Sequence, residues 1–231
     1  MWSKRALLPL LLLSACGQAP APAAKQSAFP AASRPVAAIV SPRFSTEERR
    51  ENVREAAAVM DEAGTKPGMS VADVGAGEGY YTVHLAERVG PSGRVLAEDI
   101  VPEVHDTLAD RIAREKLDNV SVVLGQAADP KLPANGFDQI FLIHMYHEIE
   151  QPYEFLWRLR PALRPDGRLV IVDADRPTGN HGTPPALLDC ELAAVGYRLV
   201  RRRAMPALDA YVALYEASGP RPEPTAIKPC G

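Results

Sequence analysis

The sequence predicts an α/β protein with a Rossmann-like, doubly wound, mostly parallel sheet of seven strands and helices on both faces. Short apolar segments alternate with amphipathic segments from residue 70 onward, which is typical of successive β-α units. The strand segments are apolar at almost every position, as expected when helices cover both faces of the sheet. A glycine-rich turn directly follows the first strand segment.

Each element is predicted by a local pattern. Apolar residues at helical spacing predict one helix over 46–63, which Ser45 and Glu48 begin as a capping box and Gly64 ends. We expect this helix to lie over the ligand site as a lid. The strands are predicted at 70–74, 94–100, 120–124, 137–144, 168–173, 197–203 and 211–216, and the other helices at 80–89, 102–116, 152–163 and 185–195.

The N-terminal residues are typical of an exported protein. Two basic residues precede the apolar segment 6–13, which is far shorter than the ~20 residues that span a bilayer as a helix. The run Leu13-Ser14-Ala15-Cys16-Gly17 resembles a bacterial lipobox, which implies a signal peptide over 1–15 and acylation of Cys16, for example with palmitate. An ordinary secretory signal with a chance cysteine is the alternative. We therefore expect a lipid-anchored protein of the cell envelope, periplasm-facing or at the surface.

Composition divides the rest of the chain into three parts. Residues 16–43 are rich in Ala and Pro, which is typical of a flexible tether. Residues 44–218 carry the β-α pattern of one domain. Residues 219–231 are rich in Pro, and we expect a disordered tail. Outside the cytoplasm Cys190 and Cys230 could pair, and free thiols are the alternative.

The net charge argues against a nucleic-acid-binding protein, and the spacing of potential ligand residues argues against a metal-binding protein. The chain has 26 Lys and Arg against 29 Asp and Glu, a formal net charge of −3, which gives no electrostatic reason to expect a nucleic-acid partner. The dense basic run 201–203 is typical of a solvated strand end. No His, Cys or carboxylate cluster has the sequence spacing of a metal site, so we expect no metal.

The turn Gly75-Ala76-Gly77-Glu78-Gly79 is the best candidate for a ligand site. Gly75 permits a tight turn, Gly77 a close approach of the backbone to a ligand, and Gly79 close helix packing. The G-x-G-x-G spacing lacks the extra residue of pyrophosphate-binding turns, and Glu78 would repel a phosphate. This argues against an NAD-dependent oxidoreductase. S-adenosylmethionine, which has a ribose and an amino-acid end but no pyrophosphate, suits the turn.

Two carboxylates accompany this turn. Asp99 follows Gly79 at the distance at which a carboxylate meets a ribose, and its alternative role is to cap the helix that begins at Pro102. Asp73 lies inside an apolar strand and therefore needs a partner. We expect that partner to be the ammonium group of the methionine moiety or the backbone amides of the turn.

From about residue 44 to 216 the chain resembles the class I S-adenosylmethionine-dependent methyltransferases, including a bacterial group of exported predicted methyltransferases. Gln126 stands where many of these proteins have an acid, so the adenine contact is open between Gln126 and Asp129. The segments that carry the resemblance are 71–79, 95–100, 125–133, 137–147 and 163–173.

The resemblance and the turn together give a set of cofactor-binding residues. One of Tyr80 and Tyr81 is expected to line the pocket and the other to pack in the core. The predicted contacts are Asp73, Gly75, Ala76, Gly77, Gly79, Tyr81, Asp99, Ile100, Gln126, Ala127, Asp129 and His144.

The candidate catalytic side chains follow the fourth strand, because doubly wound folds place their sites at the carboxyl ends of strands. An imidazole is suited to act as a base near neutral pH, and His147 is predicted to be a base that contacts the methyl acceptor. His144 is expected to line the site, unless it only ends the strand. Glu148, Asp173 and His181 are further candidates on the acceptor side. The hypothesis is a methyltransferase acting on a small molecule, and its alternative is a non-catalytic envelope protein that binds S-adenosylmethionine or a related metabolite.

Overall fold

The computed structural model describes residues 27–39 and 46–230. One seven-stranded sheet, in the order β3-β2-β1-β4-β5-β7-β6, forms the centre. All neighbours are parallel except β7, which runs antiparallel to both β5 and β6. This confirms the predicted fold class. The strands are β1 Ser70–Val74, β2 Arg94–Asp99, β3 Val120–Leu124, β4 Phe137–Ile143, β5 Leu163–Asp173, β6 Tyr197–Met205 and β7 Ala210–Ala217.

Six α-helices are present in the described part of the chain. None of the described helices has the length and hydropathy to cross a membrane. They are α1 Glu47–Asn52, α2 Glu55–Ala63, α3 Tyr80–Val89, α4 Pro102–Glu115, α5 Pro152–Leu159 and α6 Pro185–Ala194.

The two faces of the sheet bury separate apolar clusters. Ile140 and its alternate neighbour Leu142 pack on one face with residues of α5 such as Leu156. Phe141, which lies between them in β4, packs on the other face with α3 residues such as Leu85. Each fully buried side chain of this kind contributes about 1.5–3 kcal/mol relative to exposure. Apolar residues at successive positions therefore hold helices on both faces.

The predicted helix over 46–63 is wrong in one respect, because it is broken in the middle. Thr46 caps α1, its Oγ1 accepting a hydrogen bond from the Arg49 N–H at 3.3 Å, and Ser45 lies outside the described residues. Arg54 then adopts the left-handed conformation (φ 52°) and separates α1 from α2. The physical reason is burial, since α1 has no buried residue whereas α2 buries Val59 and Met60. The break lets α1 follow the surface while α2 packs on the core.

The expected flexible tether over 16–43 is also wrong for residues 27–39, which pack on the domain. Arg34 forms an ion pair with Glu191 at 2.9 Å, and both side chains are buried. The ring of Phe29 lies edge-on to Trp157, with 5.4 Å between centroids. The composition of this segment suggested flexibility, but a few side chains with distant partners order it. Cys16 and the predicted signal peptide lie outside the described residues.

The expected disordered tail is a further correction. Within 219–230, Ile227 and Cys230 are buried. A disulfide joins Cys230 to Cys190 of α6. The backbone N–H of Cys230 donates a hydrogen bond to the Tyr153 hydroxyl at 2.7 Å. The covalent link and these contacts offset the entropy that a Pro-rich segment would otherwise retain.

A buried carboxyl group lies between the carboxyl ends of three strands. The Glu98 side chain, at the end of β2, accepts a long hydrogen bond from the Gly75 N–H at 3.4 Å. A Cβ at position 125 would lie 1.5 Å from Glu98 Oε1, so only the glycine found there leaves room for this side chain. Burial, with the nearby charges of Asp99 and Asp73, raises the pKa of Glu98 to about 8, although the Gly75 amide opposes this. The group is therefore mostly protonated at neutral pH.

We expect Glu98 to make folding depend on pH. The unfolded chain loses this proton near pH 4.5, whereas the folded chain keeps it until about pH 8. The folded state binds the extra proton between these values, so the contribution of Glu98 to stability falls as pH rises through this window. Glu98→Gln removes the effect, and its stability relative to wild type should increase between about pH 5 and pH 9. Urea unfolding at both pH values measures it.

The matched control is Glu87→Gln, which changes an exposed carboxylate on α3. Its stability difference from wild type should be the same at both pH values. An equal difference for Glu98→Gln at the two pH values would contradict the raised pKa.

Candidate functional site

The glycine turn lies between β1 and α3 at the carboxyl edge of the sheet. Gly75 and Gly79 have positive φ angles of 70° and 90°. At Gly79 a Cβ would lie only 2.5 Å from Cδ1 of Leu108, so this position keeps α4 close to the turn. The Ala76 N–H donates to the carbonyl of Glu98 at 2.8 Å, which ties the turn to β2. The backbone of the turn is thus open to a ligand and fixed by its neighbours.

Asp99 ends β2 beside this turn. Its carboxylate accepts hydrogen bonds from the Gly77 N–H and the Val101 N–H, both at 3.0 Å. The second bond goes to Val101, the residue before α4, and not to an N–H of the helix itself, so the structure places Asp99 beside the turn but not as the side-chain cap of α4. The remaining acceptor capacity of this carboxylate faces no further protein donor among the hydrogen bonds of the described residues.

Asp73 has a different partner from the one expected. Its carboxylate accepts a hydrogen bond from the Thr82 hydroxyl of α3 at 2.6 Å and is almost fully buried. Burial raises the pKa of Asp73 to about 6, and the Thr82 hydrogen bond opposes this rise. This hydrogen bond engages one oxygen of the carboxylate, and the contact of Asp73 with the ammonium of a ligand stays a prediction. Asp73 therefore fixes α3 against β1 and positions the turn between them.

A polar cluster from α1, α2 and α3 lies over the turn. The Arg50 guanidinium lies over the rings of Tyr80 and Tyr81, 4.2 and 5.0 Å from their centroids. It also donates to Glu55 at 2.7 Å, and Glu55 accepts from the Tyr81 hydroxyl at 3.1 Å. Tyr80 lines the cavity below, whereas Tyr81, the predicted cofactor contact, is buried under Glu55. The prediction thus assigned the two tyrosines the wrong way round.

His144 joins this cluster from the end of β4. Its Nε2 lies 3.2 Å from Glu55 Oε1, and its backbone is left-handed (φ 53°). Burial alone would raise the pKa of Glu55, but hydrogen bonds from His144 and Arg50 and their positive charges lower it to about 2. Sequence reasoning missed Arg50 and Glu55, because their contacts form only after the chain folds back over the turn. The available signal was a charged run inside a predicted lid helix.

One cavity of about 510 Å³ connects the turn to the acceptor-side loops. It is lined by residues of the turn, of α1 and of the segments that follow β4 and β5. Among the residues that line it are Arg50, Gly75, Ala76, Gly77, His144, His147 and His181.

His147 and Asp173 form a buried pair at the far end of this cavity. His147 Nδ1 lies 2.9 Å from Asp173 Oδ1, and Asp173 also accepts from the Thr183 hydroxyl at 2.7 Å and the Ala174 N–H at 2.9 Å. Because a carboxylate only accepts, Nδ1 carries the proton and Nε2 is left as the acceptor atom of the ring. The His181 ring lies edge-on to His147, with 5.4 Å between centroids. The sequence candidates His147, Asp173 and His181 are thus brought together.

The predicted adenine loop lies away from this cavity. Gln126 and Asp129 exchange backbone hydrogen bonds of 2.9 and 2.8 Å, and Gln126 is exposed. The Asp129 carboxylate accepts from Lys131 Nζ at 2.8 Å. Burial opposes the shift, but this contact holds the pKa of Asp129 below its usual value. Of the two alternatives for the adenine contact, Asp129 is paired with a lysine and Gln126 is not. The predicted contacts Ile100 and Ala127 are likewise not among the residues that line the cavity.

Comparison with known proteins agrees with this geometry. Residues 71–167 match a family described as "Methyltransferase domain". The chain is 36% identical over 113 residues to Nocamycin O-methyltransferase of Saccharothrix syringae, covering 49% of this chain and 40% of that protein. It is 28% identical over 120 residues to the ubiquinone/menaquinone biosynthesis C-methyltransferase of Hahella chejuensis, covering 52% and 48%. The chain spans about half the length of the curated relatives it matches.

Solved structures extend the comparison to almost three quarters of the chain. A SAM-dependent methyltransferase from Aquifex aeolicus superimposes with a TM-score of 0.67 at 27% identity, covering 72% of this chain and 91% of that one. A TehB-like methyltransferase from Corynebacterium glutamicum, at 19% identity and a TM-score of 0.57, shares the fold and covers 74% and 95%. The chain is therefore similar to class I S-adenosylmethionine-dependent methyltransferases, in sequence over residues 71–167 and in fold, and this similarity implies S-adenosylmethionine as the cofactor.

Proposed function

We propose that the protein transfers a methyl group from S-adenosylmethionine to a small-molecule acceptor that enters the cavity beside His147. The observation that carries the proposal is the continuity of one cavity from the glycine turn to the buried His147–Asp173 pair. Relatives named O-methyltransferase and C-methyltransferase indicate that this fold serves oxygen and carbon acceptors alike. The described part of the chain has no large insertion that would form a platform for a macromolecule.

The residues at the turn fit the cofactor. The Asp99 carboxylate beside the turn retains acceptor capacity, which suits the hydroxyl donors of a ribose. The buried Oε1 atom of Glu98 has no hydrogen-bond partner among the described residues and carries the proton of this carboxyl near neutral pH, so it could donate to an acceptor atom of the cofactor. Gly75, Ala76 and Gly77 would hold the amino-acid end and Asp99 the ribose. The bound cofactor supplies a methyl group already activated on a sulfonium, so the protein has to align the acceptor and exclude water.

The acceptor is activated at His147. Asp173 fixes the ring by holding Nδ1, which leaves Nε2 directed away from the pair. An acceptor hydroxyl that donates to Nε2 would lose its proton to the ring as the methyl group is transferred. Asp173 does not touch the acceptor and acts as a positioning residue. His144, held by Glu55, closes the wall between this end and the turn.

Cofactor binding should depend on Asp99. Asp99→Asn keeps the size of the side chain but removes the charge and half of its acceptor capacity, so we expect about 10- to 100-fold weaker binding. Calorimetry of the purified protein with S-adenosylmethionine and S-adenosylhomocysteine measures this, with NAD as the negative ligand. Glu103→Gln, on the exposed face of α4, is the control that should bind normally. Absence of heat with both sulfur nucleosides, or heat with NAD alone, would contradict the cofactor assignment.

Methyl transfer should depend on His147. His147→Gln is expected to lower the turnover of a hydroxyl acceptor by about 10²- to 10⁴-fold, because the activating imidazole is lost, while cofactor affinity stays unchanged. Transfer of a radiolabelled methyl group to a fractionated small-molecule extract measures it. His105→Gln, at a surface imidazole paired with Asp106, is the matched control.

Three results of that assay discriminate between functions. If His147→Gln has wild-type turnover, His147 takes no part in the reaction. Cofactor heat without transfer in any fraction would favour the alternative of a protein that binds S-adenosylmethionine without turnover. An export signal over residues 1–15, which is predicted from the sequence alone, would support that alternative, because S-adenosylmethionine is made in the cytoplasm. Label that appears only in macromolecular fractions would overturn the small-molecule acceptor.

We further propose that Cys16 is acylated and holds the protein to a membrane of the cell envelope. The support is the sequence alone, namely the short apolar segment and the lipobox-like run that ends at Cys16. Labelled palmitate should enter the protein in cells, and Cys16→Ser should abolish both the label and membrane fractionation. Cys190→Ser is the control that keeps both. Label retained by Cys16→Ser would place the acyl chain elsewhere, and absence of label from the wild-type protein would show that Cys16 is not acylated.

A further inference from the structure

The loops that follow β4 and β5 bring two imidazoles and a carboxylate together in the cavity. The ligand atoms of His147, Glu148 and His181 all lie within 4.8 Å of one another. The first two follow β4, whereas His181 follows β5, so no spacing pattern in the sequence indicates the group. All three line the cavity that leads to the glycine turn. Sequence spacing gave no metal site, and this cluster exists only in the folded chain.

We propose that His147, Glu148 and His181 bind a divalent first-row transition-metal ion, with zinc as the first choice. Two imidazoles and one carboxylate are a ligand set of catalytic zinc sites, in which a further position stays open for substrate. Imidazole ligands favour such ions over magnesium or calcium, which prefer oxygen. The open position would face the cavity in which the acceptor is proposed to bind.

The surroundings of His147 match those of a metal-bound histidine. Its Nδ1 is held by Asp173, so only Nε2 can serve as a ligand atom. A metal-bound histidine almost always donates its other ring N–H to a carboxylate, carbonyl or water, which fixes the ring and strengthens the ligand. Asp173 is itself held by the Thr183 hydroxyl and the Ala174 N–H. This outer arrangement is complete before any ion binds.

The N-terminal segment holds both ligand loops in place. The Ala37 N–H donates to the carbonyl of His147 at 3.2 Å. Two residues earlier, the Pro35 carbonyl accepts from the Thr178 hydroxyl at 2.6 Å, close to His181 in the second loop. Arg34 also donates to the carbonyl of Ile149 at 3.2 Å. One extended segment thus bridges the loops that carry the three ligands.

The geometry requires only a small adjustment. Ligand atoms about 2.1 Å from a tetrahedral ion lie about 3.4 Å apart, so the present cluster has to close by roughly an ångström. His147 is buried and fixed, whereas Glu148 and His181 are half-buried. The closing would come from side-chain rotation at these two residues. An ion there would bind the acceptor oxygen directly and lower its pKa, and the proton would leave to solvent rather than to Nε2. This role rests on the proposed methyl transfer and replaces the base role of Nε2, whereas the binding of the ion depends on neither.

Direct metal binding tests the site without any acceptor. The full-length protein, purified without a histidine tag and stripped with a chelator, is titrated with zinc by calorimetry and with cobalt by visible absorption. One ion per chain is expected. His181→Gln, Glu148→Gln and His147→Gln should each weaken binding at least 10-fold, Glu148→Asp should restore much of it, and Asp173→Asn should cost about 10- to 100-fold.

The matched control is the double variant that combines His84→Gln and His105→Gln. It removes two surface histidine–carboxylate pairs and should leave zinc binding unchanged. Urea midpoints show that each variant is folded. The proposal is overturned if zinc does not bind, or if loss of His181 or Glu148 leaves the affinity and the cobalt spectrum unaltered. Cofactor heat in the stripped protein is measured in parallel, so failure of the metal site and failure of the methyltransferase assignment give different results.

Discussion

The buried carboxylate of Asp173 is the constraint on which the acceptor side of this protein depends. A carboxylate that is removed from water has to be satisfied by donors, and three groups supply them here: the His147 ring, the Thr183 hydroxyl and the Ala174 N–H. These donors come from the segments after β4 and β5. Because these donors converge on Asp173, both loops are fixed. The Nε2 atom of His147 is left to bind either a proton or a metal ion.

The cofactor side depends on the strand order instead. The connection after β1 leads to β2 on one side, whereas the connection after β4 leads to β5 on the other side, so the two diverge and open a crevice between the carboxyl ends of β1 and β4. The glycine turn, Asp99 and Glu98 all lie at this point. The buried Asp73 and Glu98 do not line the cavity, but their hydrogen bonds to Thr82 and Gly75 fix the segments on either side of the turn. The two halves of the site meet because β4 adjoins β1 on one side and β5 on the other.

Sequence patterns predicted the sheet well because each strand and helix is specified by its own neighbours. Periodicity and turn residues gave β1, α3 and β3 with the bounds that are observed. The same patterns marked Asp99, His147, Asp173 and His181, since residues at the carboxyl ends of parallel strands must come together. The strand order was enough to predict that His147 and Asp173 lie close together. It was not enough to predict the cluster of His147 and His181 with Glu148, because that cluster depends on loop conformations such as the left-handed backbone of His181.

The predictions that were wrong, and the site residues that were missed, share one physical cause: each depends on contacts between residues far apart in sequence. Residues 27–39 and 219–230 have the composition of flexible chain, and composition alone cannot reveal the Arg34–Glu191 ion pair or the Cys190–Cys230 disulfide. Arg50 and Glu55 were missed for the same reason. These long-range contacts order segments whose local sequence does not favour one conformation.

The ordered N-terminal segment also connects the proposed lipid anchor with the proposed acceptor site. Only ten residues separate Cys16 from Ser27, where the described segment begins, and fully extended they span at most about 40 Å. An acylated Cys16 would therefore hold the segment that bridges both acceptor-side loops near the bilayer. Such an anchor would favour acceptors that gather at the membrane surface over those dilute in solution. Small amphipathic hydroxyl compounds are accordingly the first fractions to assay, and their affinity for the membrane would offset a weak affinity for the cavity.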